Sequence, residues 1–311
     1  MQLSDILVTG GHGFLGQHVL DELVRRGAGS VVMPGHAEFD LLCWPCALEV
    51  IANYGKHDIG TVLHLAAECG GIGANMAQPG LFFFANMQMG LNVIEASRQS
   101  GVKRIVVVGT TCAYPRDAPV PLREDSLWDG YPEGTNAPYG IAKRVLLTML
   151  QAYKAQYGLE YRYLLPANLY GPGDNYDPNT SHVIPAMIRK FVEAKRTGDT
   201  VRIWGTGKPT REFLYVTDAA RGVVDAAERD DWPEVANLGT GREISIADLA
   251  AIISDAVGYR GEIYGDASKP DGQLRRCLDT SRANACGWKA QVSLEEGIAD
   301  CVKDFLDRFP G

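Results

Sequence analysis

The segment Ile6-Leu7-Val8-Thr9-Gly10-Gly11-His12-Gly13-Phe14-Leu15-Gly16 decides the architecture of this chain. Apolar residues with strand character run into a glycine-rich turn, and from Phe14 the apolar spacing becomes helical until Gly27 follows Arg26. Glycine at 10, 13 and 16 lets the backbone turn tightly and approach a pyrophosphate held at a helix N-terminus. Taken alone such a pattern could be a plain tight turn. Its place between a strand and a helix points to a dinucleotide.

The same alternation continues outward. Ser30–Met33, Thr61–Leu65, Arg104–Val108 and Tyr161–Leu165 read as short strands, and Phe82–Ser100 and Tyr139–Tyr157 as helices, the latter closed by Gly158. Strands alternating with helices predict an α/β fold, a Rossmann-type doubly wound parallel sheet. After Pro166 the character changes. Residues 168–180 are rich in Gly, Pro, Asn and Asp and read as a loop. Beyond them come short strands (Val201–Trp204, Glu262–Tyr264) and a helix over Ile246–Val257 with a Ser245/Asp248 cap. The expected division is a dinucleotide-binding domain over 1–166, with 213–227 returning to it, and a smaller α/β substrate-binding lobe over 167–311.

Composition narrows the function classes. The 311 residues are 46% hydrophobic and 22% charged, an ordinary globular balance. Thirty basic against 38 acidic side chains give a net charge of −8, which argues against a nucleic-acid partner. No apolar run nears the roughly 18 residues of a membrane span. Met1–Asp5 carries no basic segment leading into an apolar one, so a cytoplasmic location without membrane attachment is expected. The seven cysteines are an odd number and read as reduced thiols. Cys43 and Cys46 form a lone CxxC at a helix start, with no second pair to complete a zinc site, and no metal is expected.

Tyr139-Gly140-Ile141-Ala142-Lys143 places a phenol and an ammonium one helical turn apart. A nearby cation favours the ionised phenol, so the tyrosine is expected to exchange a proton near neutral pH. The hydroxyl partner is expected from the loop after Arg104–Val108, at Thr110 or Thr111. With the glycine turn, this set points to carbonyl/alcohol chemistry on a nicotinamide cofactor. The second strand ends Met33-Pro34-Gly35-His36, with no acid for a ribose 2′-hydroxyl, which favours NADP, with NAD as the alternative. His12 and His36 are the only nearby candidates for a 2′-phosphate.

Further motifs carry a family resemblance. They are His64-Leu65-Ala66-Ala67, Gly70-Gly71-Ile72, Ala74-Asn75, Gly109 to Pro115, Thr135 to Lys143, Asn168 to Pro172, Ser181 to Pro185, Trp204 to Gly207, Arg211 to Val216 and Lys269 to Gly272. As a set they resemble the GDP-L-fucose synthase family of the extended short-chain dehydrogenases. The resemblance spans nearly the whole chain. It implies 3,5-epimerisation and then NADPH-dependent 4-reduction of a GDP-linked 4-keto-6-deoxy-mannose, by a homodimer whose helices over 82–100 and 139–157 pair across a two-fold axis. Cys112 and His182 match the family's epimerisation acid and base, and Thr110, Tyr139 and Lys143 its reduction set. The implied cofactor site comprises Gly10, His12, Gly13, Phe14, Leu15, Gly16, Leu65, Ala66, Ala67, Tyr139, Lys143, Pro166, Asn168 and Leu169. The implied substrate site comprises Asn168, Val183, Met187, Trp204, Arg211 and Lys269.

One departure stands out. Thr110-Thr111-Cys112 replaces the family's Ser-Ser-Cys, which keeps a hydroxyl but adds a methyl group and stiffens χ1. It keeps open an enzyme that performs only the reduction or only the epimerisation. A non-catalytic dinucleotide-binding regulator on the same fold is the alternative of another class. Arg275 and Arg276 read either as further phosphate contacts or as a solvated pair.

Overall fold

The computed structural model describes residues 5–55, 60–178, 180–266, 268, 271 and 273–310. Its first part contains β1 (Ile6–Thr9), α1 (Phe14–Arg25), β2 (Val31–Val32), α2 (Trp44–Gly55), β3 (Thr61–His64), α3 (Ile72–Ala77), α4 (Pro79–Gln99), β4 (Arg104–Val108), α5 (Ala137–Tyr157) and β5 (Glu160–Pro166). The second part contains β6 (Asn168–Tyr170), α6 (Val183–Thr197), β7 (Val201–Trp204), β8 (Thr210–Arg211), β9 (Phe213–Tyr215), α7 (Val216–Glu228), β10 (Val235–Leu238), β11 (Ile244–Ser245), α8 (Ile246–Val257), β12 (Ile263–Asp266), α9 (Ser281–Ala285) and α10 (Leu294–Arg308).

Six parallel strands form the main sheet in the order β10-β5-β4-β3-β1-β2. Helices cover both faces, so the central strands are apolar on both sides, as in the buried run Ile105-Val106-Val107 of β4. The order reverses between β1 and β3. This switch point opens a crevice at the carboxyl ends of the strands, where doubly wound folds bind ligands.

A second core gathers Ile188, Phe191, Leu249, Ile253, Ile298 and Phe305 from α6, α8 and α10. It is fastened beside the first by the parallel pair β6–β9 (Asn168↔Phe213, Tyr170↔Tyr215). The loop predicted over 168–180 therefore opens with a strand. Three residues next to glycine and proline give too little pattern to show it. The return to the main sheet is also wider than 213–227. Helix α7 packs on α1, and Arg26 of α1 bridges to Asp225 and Glu228 of α7. Then β10 adds the outer strand beside β5, and Ala283 and Trp288 join the first core.

Candidate active site

The turn from β1 to α1 forms a backbone cradle. Gly10 has φ 72°, and a Cβ there would lie 2.6 Å from the Ala66 nitrogen. A Cβ at Gly16 would meet the Gly10 oxygen at 2.3 Å. Any side chain at either position would fill the cradle. Gly13 is the N-cap of α1 and brings no capping side chain, which leaves first-turn N–H groups available to an anion. Leu65 and Ala66 lie against Gly10, and the Leu65 N–H donates to the Thr9 oxygen at 3.0 Å. Beyond β5, Ala167 N–H donates to Leu238 O at 2.8 Å, and Asn168 Nδ2 to Glu212 O at 2.9 Å. His18 Nε2 hydrogen-bonds Pro172 O at 2.9 Å, which holds the segment after β6 over α1. The residues expected to line a cofactor site thus follow the carboxyl edge of the sheet, and the cradle fits a dinucleotide pyrophosphate.

Two groups from α5, buried Lys143 and half-buried Tyr139, lie at the end of β4. Lys143, 1% exposed, donates from Nζ to Val108 O at 3.2 Å. Desolvation pulls its pKa down from the usual lysine range to about 8. The Thr110 hydroxyl lies close enough to the Tyr139 phenol to favour its ionised form, which gives Thr110 the partner position ahead of Thr111. Burial holds this phenol well above the ordinary tyrosine value, and the neighbouring thiols of Cys69 and Cys112 act in the same direction, against Thr110. Desolvation of the phenolate thus favours the neutral phenol, an effect opposite in sign to that expected of a neighbouring ammonium.

Cys112 sits in a single 3₁₀ turn over Thr111–Ala113, and its N–H donates to Thr110 Oγ1 at 3.2 Å. The turn lies against α5 at Gly140, where a Cβ would be 2.2 Å from the Cys112 oxygen. Glycine at 140 is thus what lets the hydroxyl, thiol and phenol converge.

Guanidinium groups close the other side. Arg276 Nη1 lies 3.7 Å from Cys112 Sγ, and Gln273 Oε1 receives Arg276 Nη2 at 2.9 Å. Arg211 Nη1 donates to Thr210 O and Gln273 O, both at 2.7 Å. Desolvation, with the like charge of Arg276, pulls the Arg211 pKa down to about 10, while Cys112 opposes the shift. A backbone lace sets this wall in place. Leu122 bridges Leu278, with Leu122 N–H to Cys277 O at 2.8 Å and Asp279 N–H to Leu122 O at 2.9 Å. Buried Glu212 collects the N–H groups of Thr240, Gly241 and Leu278 at 2.6–2.7 Å. Arg275 points elsewhere and pairs with Glu243.

His182 is the N-cap of α6 and is exposed. Surrounding protein nevertheless desolvates the imidazole and holds its pKa below the usual histidine value. Its position is fixed through the segment after β3. Gly71 N–H donates to Thr180 O at 3.4 Å, and a Cβ at Gly71 would lie 3.0 Å from Ser181 O. Asn75 Nδ2 donates to Gly70 O at 2.9 Å and Asn86 Nδ2 to Glu68 O at 2.9 Å. Phe82 packs edge-on against Tyr139, with ring centroids 6.4 Å apart. This clamped segment also brings the exposed Cys69 within electrostatic reach of Tyr139 and Lys143, and desolvation pushes that thiol's pKa up.

The remaining expected substrate residues are dispersed. Val183 follows His182 at the start of α6, and Met187, 6% exposed, packs in the second core. Trp204 is 59% exposed at the end of β7, so it is not a core residue. Lys269 lies outside the described residues. All seven cysteines are free thiols. Among the described residues no group of three or more His, Cys, Asp or Glu could hold a metal ion, and no helix is long and apolar enough to cross a membrane.

Residues 6–239 match the NAD dependent epimerase/dehydratase family, and the chain belongs to it. The similarity extends well past that segment. Probable GDP-L-fucose synthase 1 of Oryza sativa subsp. japonica is 40% identical over 304 residues, covering 97% of this chain and 92% of that protein. GDP-L-fucose synthase of Escherichia coli (strain K12) is 38% identical and both chains are covered completely, at 100% each. A solved GDP-L-fucose synthetase from Naegleria fowleri bound to NADP superposes with a TM-score of 0.89 at 28% identity, covering 100% of this chain and 96% of the other. Within the family, the chain falls among the GDP-L-fucose synthases, in agreement with the resemblance carried by its motifs.

Proposed function

We propose that this enzyme converts a GDP-linked 4-keto-6-deoxy-mannose to GDP-L-fucose or a close relative, by inverting C3 and C5 and then reducing C4 with NADPH. The observation that carries this is the convergence at one turn. Thr110 and Cys112 both act on the Tyr139 phenol, and the Cys112 thiol lies 3.7 Å from the Arg276 guanidinium. Groups for ketone reduction and for proton transfer at carbon therefore share one crevice.

The C4 ketone acidifies the protons at C3 and C5. Cys112 takes or gives a proton at these carbons from one side and His182 from the other. Thiol and imidazole both titrate within reach of neutral pH. The guanidinium beside Cys112 stabilises the thiolate whenever the thiol gives up its proton. NADPH held in the glycine cradle would supply the hydride for C4. Tyr139, whose neutral form is favoured by desolvation, donates its proton to the C4 oxygen, and Thr110 orients the phenol. Lys143 keeps a positive charge beside the phenol below about pH 8.

The cradle over Gly10, Gly13 and Gly16, with His12, Phe14 and Leu15, holds the cofactor, and Leu65, Ala66, Ala67, Pro166, Asn168 and Leu169 line its path. Arg211, with Arg276 added from the structure and Lys269 from the sequence, neutralises the GDP diphosphate, and Trp204 offers its face to the base. Asn168, Val183 and Met187 complete the second-lobe wall. Exposed Leu81 and Phe84 on α4, near an apolar hollow lined by Pro79, Phe83, Tyr131, Pro138 and Ile141, suit a homodimer built on α4 and α5. The free thiols suit a reducing, cytoplasmic setting.

Replacing Cys112 with Ser tests the assignment. The variant is expected to lose solvent-deuterium exchange at C3 and C5 while still reducing a ketone supplied already epimerised. Undiminished exchange would refute the role of Cys112. NMR of the product separates the full reaction from either half-reaction.

A further inference from the structure

Thr9, His64, Val107 and Tyr163 are register partners that form one row across the main sheet, from β1 through β3 and β4 to β5. Partners in a parallel sheet point to the same face. The Tyr163 hydroxyl identifies that face, because it donates to the main-chain oxygen of Lys143 at 2.9 Å and so lies under α5. His64 therefore sits in the same layer as the Lys143 side chain, and both are buried. Thr9 Oγ1 tethers the imidazole on its β1 side, 2.8 Å from Nδ1. On its β4 side, Lys143 Nζ reaches the oxygen of Val108, the residue that follows Val107. The Nε2 atom of His64 is buried and has no hydrogen-bond partner among the described residues.

A neutral imidazole has one donor and one acceptor nitrogen, so the bond to Thr9 decides which kind is left over at Nε2. If Nδ1 accepted from Thr9, a buried N–H would face an ammonium that has only donors. If Nδ1 donates to Thr9, the leftover group is a lone pair, which a cation can use. Protonating both nitrogens is the costliest arrangement. Burial opposes it and the Lys143 charge adds to the effect, pulling the pKa from 6.5 to about 3. The other ionisable groups around Lys143 are committed or uncharged. The Cys69 thiol, from the segment after β3, favours the charged lysine, while desolvation keeps the thiol itself protonated. Tyr139 lies one turn back on α5, and Arg144 is turned away to Leu127 O and Gly130 O at 2.6 and 3.1 Å. On α4, Glu95 is taken up by Arg98, Gln99 and Tyr153. Among the described residues, Val108 O is the one hydrogen-bond acceptor of Lys143 Nζ.

We infer that His64 is a positioning residue for Lys143, a neutral imidazole that donates from Nδ1 to Thr9 Oγ1 and turns its Nε2 lone pair toward the ammonium. For its effect on catalysis this rests on the reading above, in which Lys143 stands beside the Tyr139 phenol during reduction of the ketone. Desolvation pulls the Lys143 pKa down to about 8. A lone pair aimed at the ammonium opposes that pull, so the lysine keeps its proton over a wider range of pH. The row also fixes where the charge sits. Tyr163 holds the lysine's main chain and Thr9 holds the imidazole, and both belong to the sheet. The ammonium is thereby placed relative to the sheet as well as to its own helix.

The test has two arms. In the first, the full-length enzyme carrying isotope-labelled histidine is followed by nitrogen NMR between about pH 5 and 9, with the His64 signals identified by their loss in H64Q. Nδ1 is expected to carry the proton throughout, and the Nε2 resonance to step near pH 8 as Lys143 ionises, with no step in K143M. A proton on Nε2 instead, a second proton taken up between about pH 5 and 7, or a flat Nε2 resonance would overturn the inference. The second arm is the pH profile of ketone reduction. In H64F the alkaline limb is expected to move down by about one pH unit, the effect of losing one acceptor for a charged donor, and in H64Q the side-chain carbonyl is expected to restore most of that shift. A limb that stays in place in a folded H64F would overturn the inference, since a purely structural role would lower the rate without moving the limb. The expected Nε2 step without a matching limb in the wild-type profile would remove Lys143 from the reduction and leave its pairing with His64 standing.

Discussion

The two walls of the crevice meet anionic ligands with different chemistry. The wall built by β1 and α1 is a backbone surface, with glycines at 10, 13 and 16, helix N–H groups and no lysine or arginine at the turn. The facing wall, built by Arg211 and the segment over 273–279, is a side-chain surface in which two guanidiniums share Gln273 beside the Cys112 thiol. Backbone N–H groups fix position and remain donors at any pH. Side-chain cations add long-range charge and can be exchanged without disturbing the fold. The first wall is therefore sensitive to volume and the second to charge.

The largest effect should come from adding volume to the backbone wall. Gly16→Ala places a methyl group 2.3 Å from the Gly10 oxygen and 2.5 Å from the Gly11 oxygen, both backbone atoms. NADPH affinity is expected to fall more than ~100-fold, because the turn itself must move. GDP binding, measured calorimetrically, should be retained. Loss of both would show that the walls do not act independently.

Removing charge from the other wall should cost less. Arg276→Ala is expected to raise the KM for the GDP-sugar by about 10- to 100-fold, the range for one charge-assisted hydrogen bond, with NADPH affinity unchanged.

A smaller effect tests the floor between the walls. Lys143 carries its proton only below about pH 8 in the folded protein. The rate of reduction should therefore fall above about pH 8 by a single ionisation, and Lys143→Met should abolish that limb. The smallest effect concerns stability. Asp174 is buried beneath the segment that follows β6, with Oδ2 unpartnered, and desolvation raises its pKa from 3.8 to about 7. The folded state thus binds the extra proton between about pH 4 and 7, and stability from this group falls as pH rises through that window. Asp174→Asn should stabilise the protein by up to about 4 kcal/mol above pH 7 and by little near pH 4, as denaturant unfolding would show.

The backbone wall was legible in the sequence because its logic is local. Strand, glycine turn and helix are consecutive, and the Tyr139–Lys143 pair lies on one helical turn. The side-chain wall was only partly legible. Arg276 reads as a solvated charge until the Leu122–Leu278 bridge places it over Cys112, and no periodicity encodes a contact so distant in sequence. Cys69 escapes notice because one thiol in a glycine-rich stretch carries no pattern, although Tyr139 and Lys143 both feel it. The strand β10 is four residues long, and its place depends on pairing Ala236 with Leu164. The desolvation of Tyr139, which favours its neutral phenol, comes from the packing of α4 against α5 and has no sequence signature.

The bridge between Leu122 and Leu278 also has a consequence in time. A chain leaves the ribosome from its N-terminus, so Thr110, Cys112 and Tyr139 are made long before Arg276. Nascent protein shorter than about 280 residues, the length that includes the bridge, carries the thiol and the phenol without their guanidinium cover. The reactive centre is finished last, by a strap added from the far end of the chain. Changes within that strap can alter what the enzyme accepts while leaving the hydride-transfer half untouched.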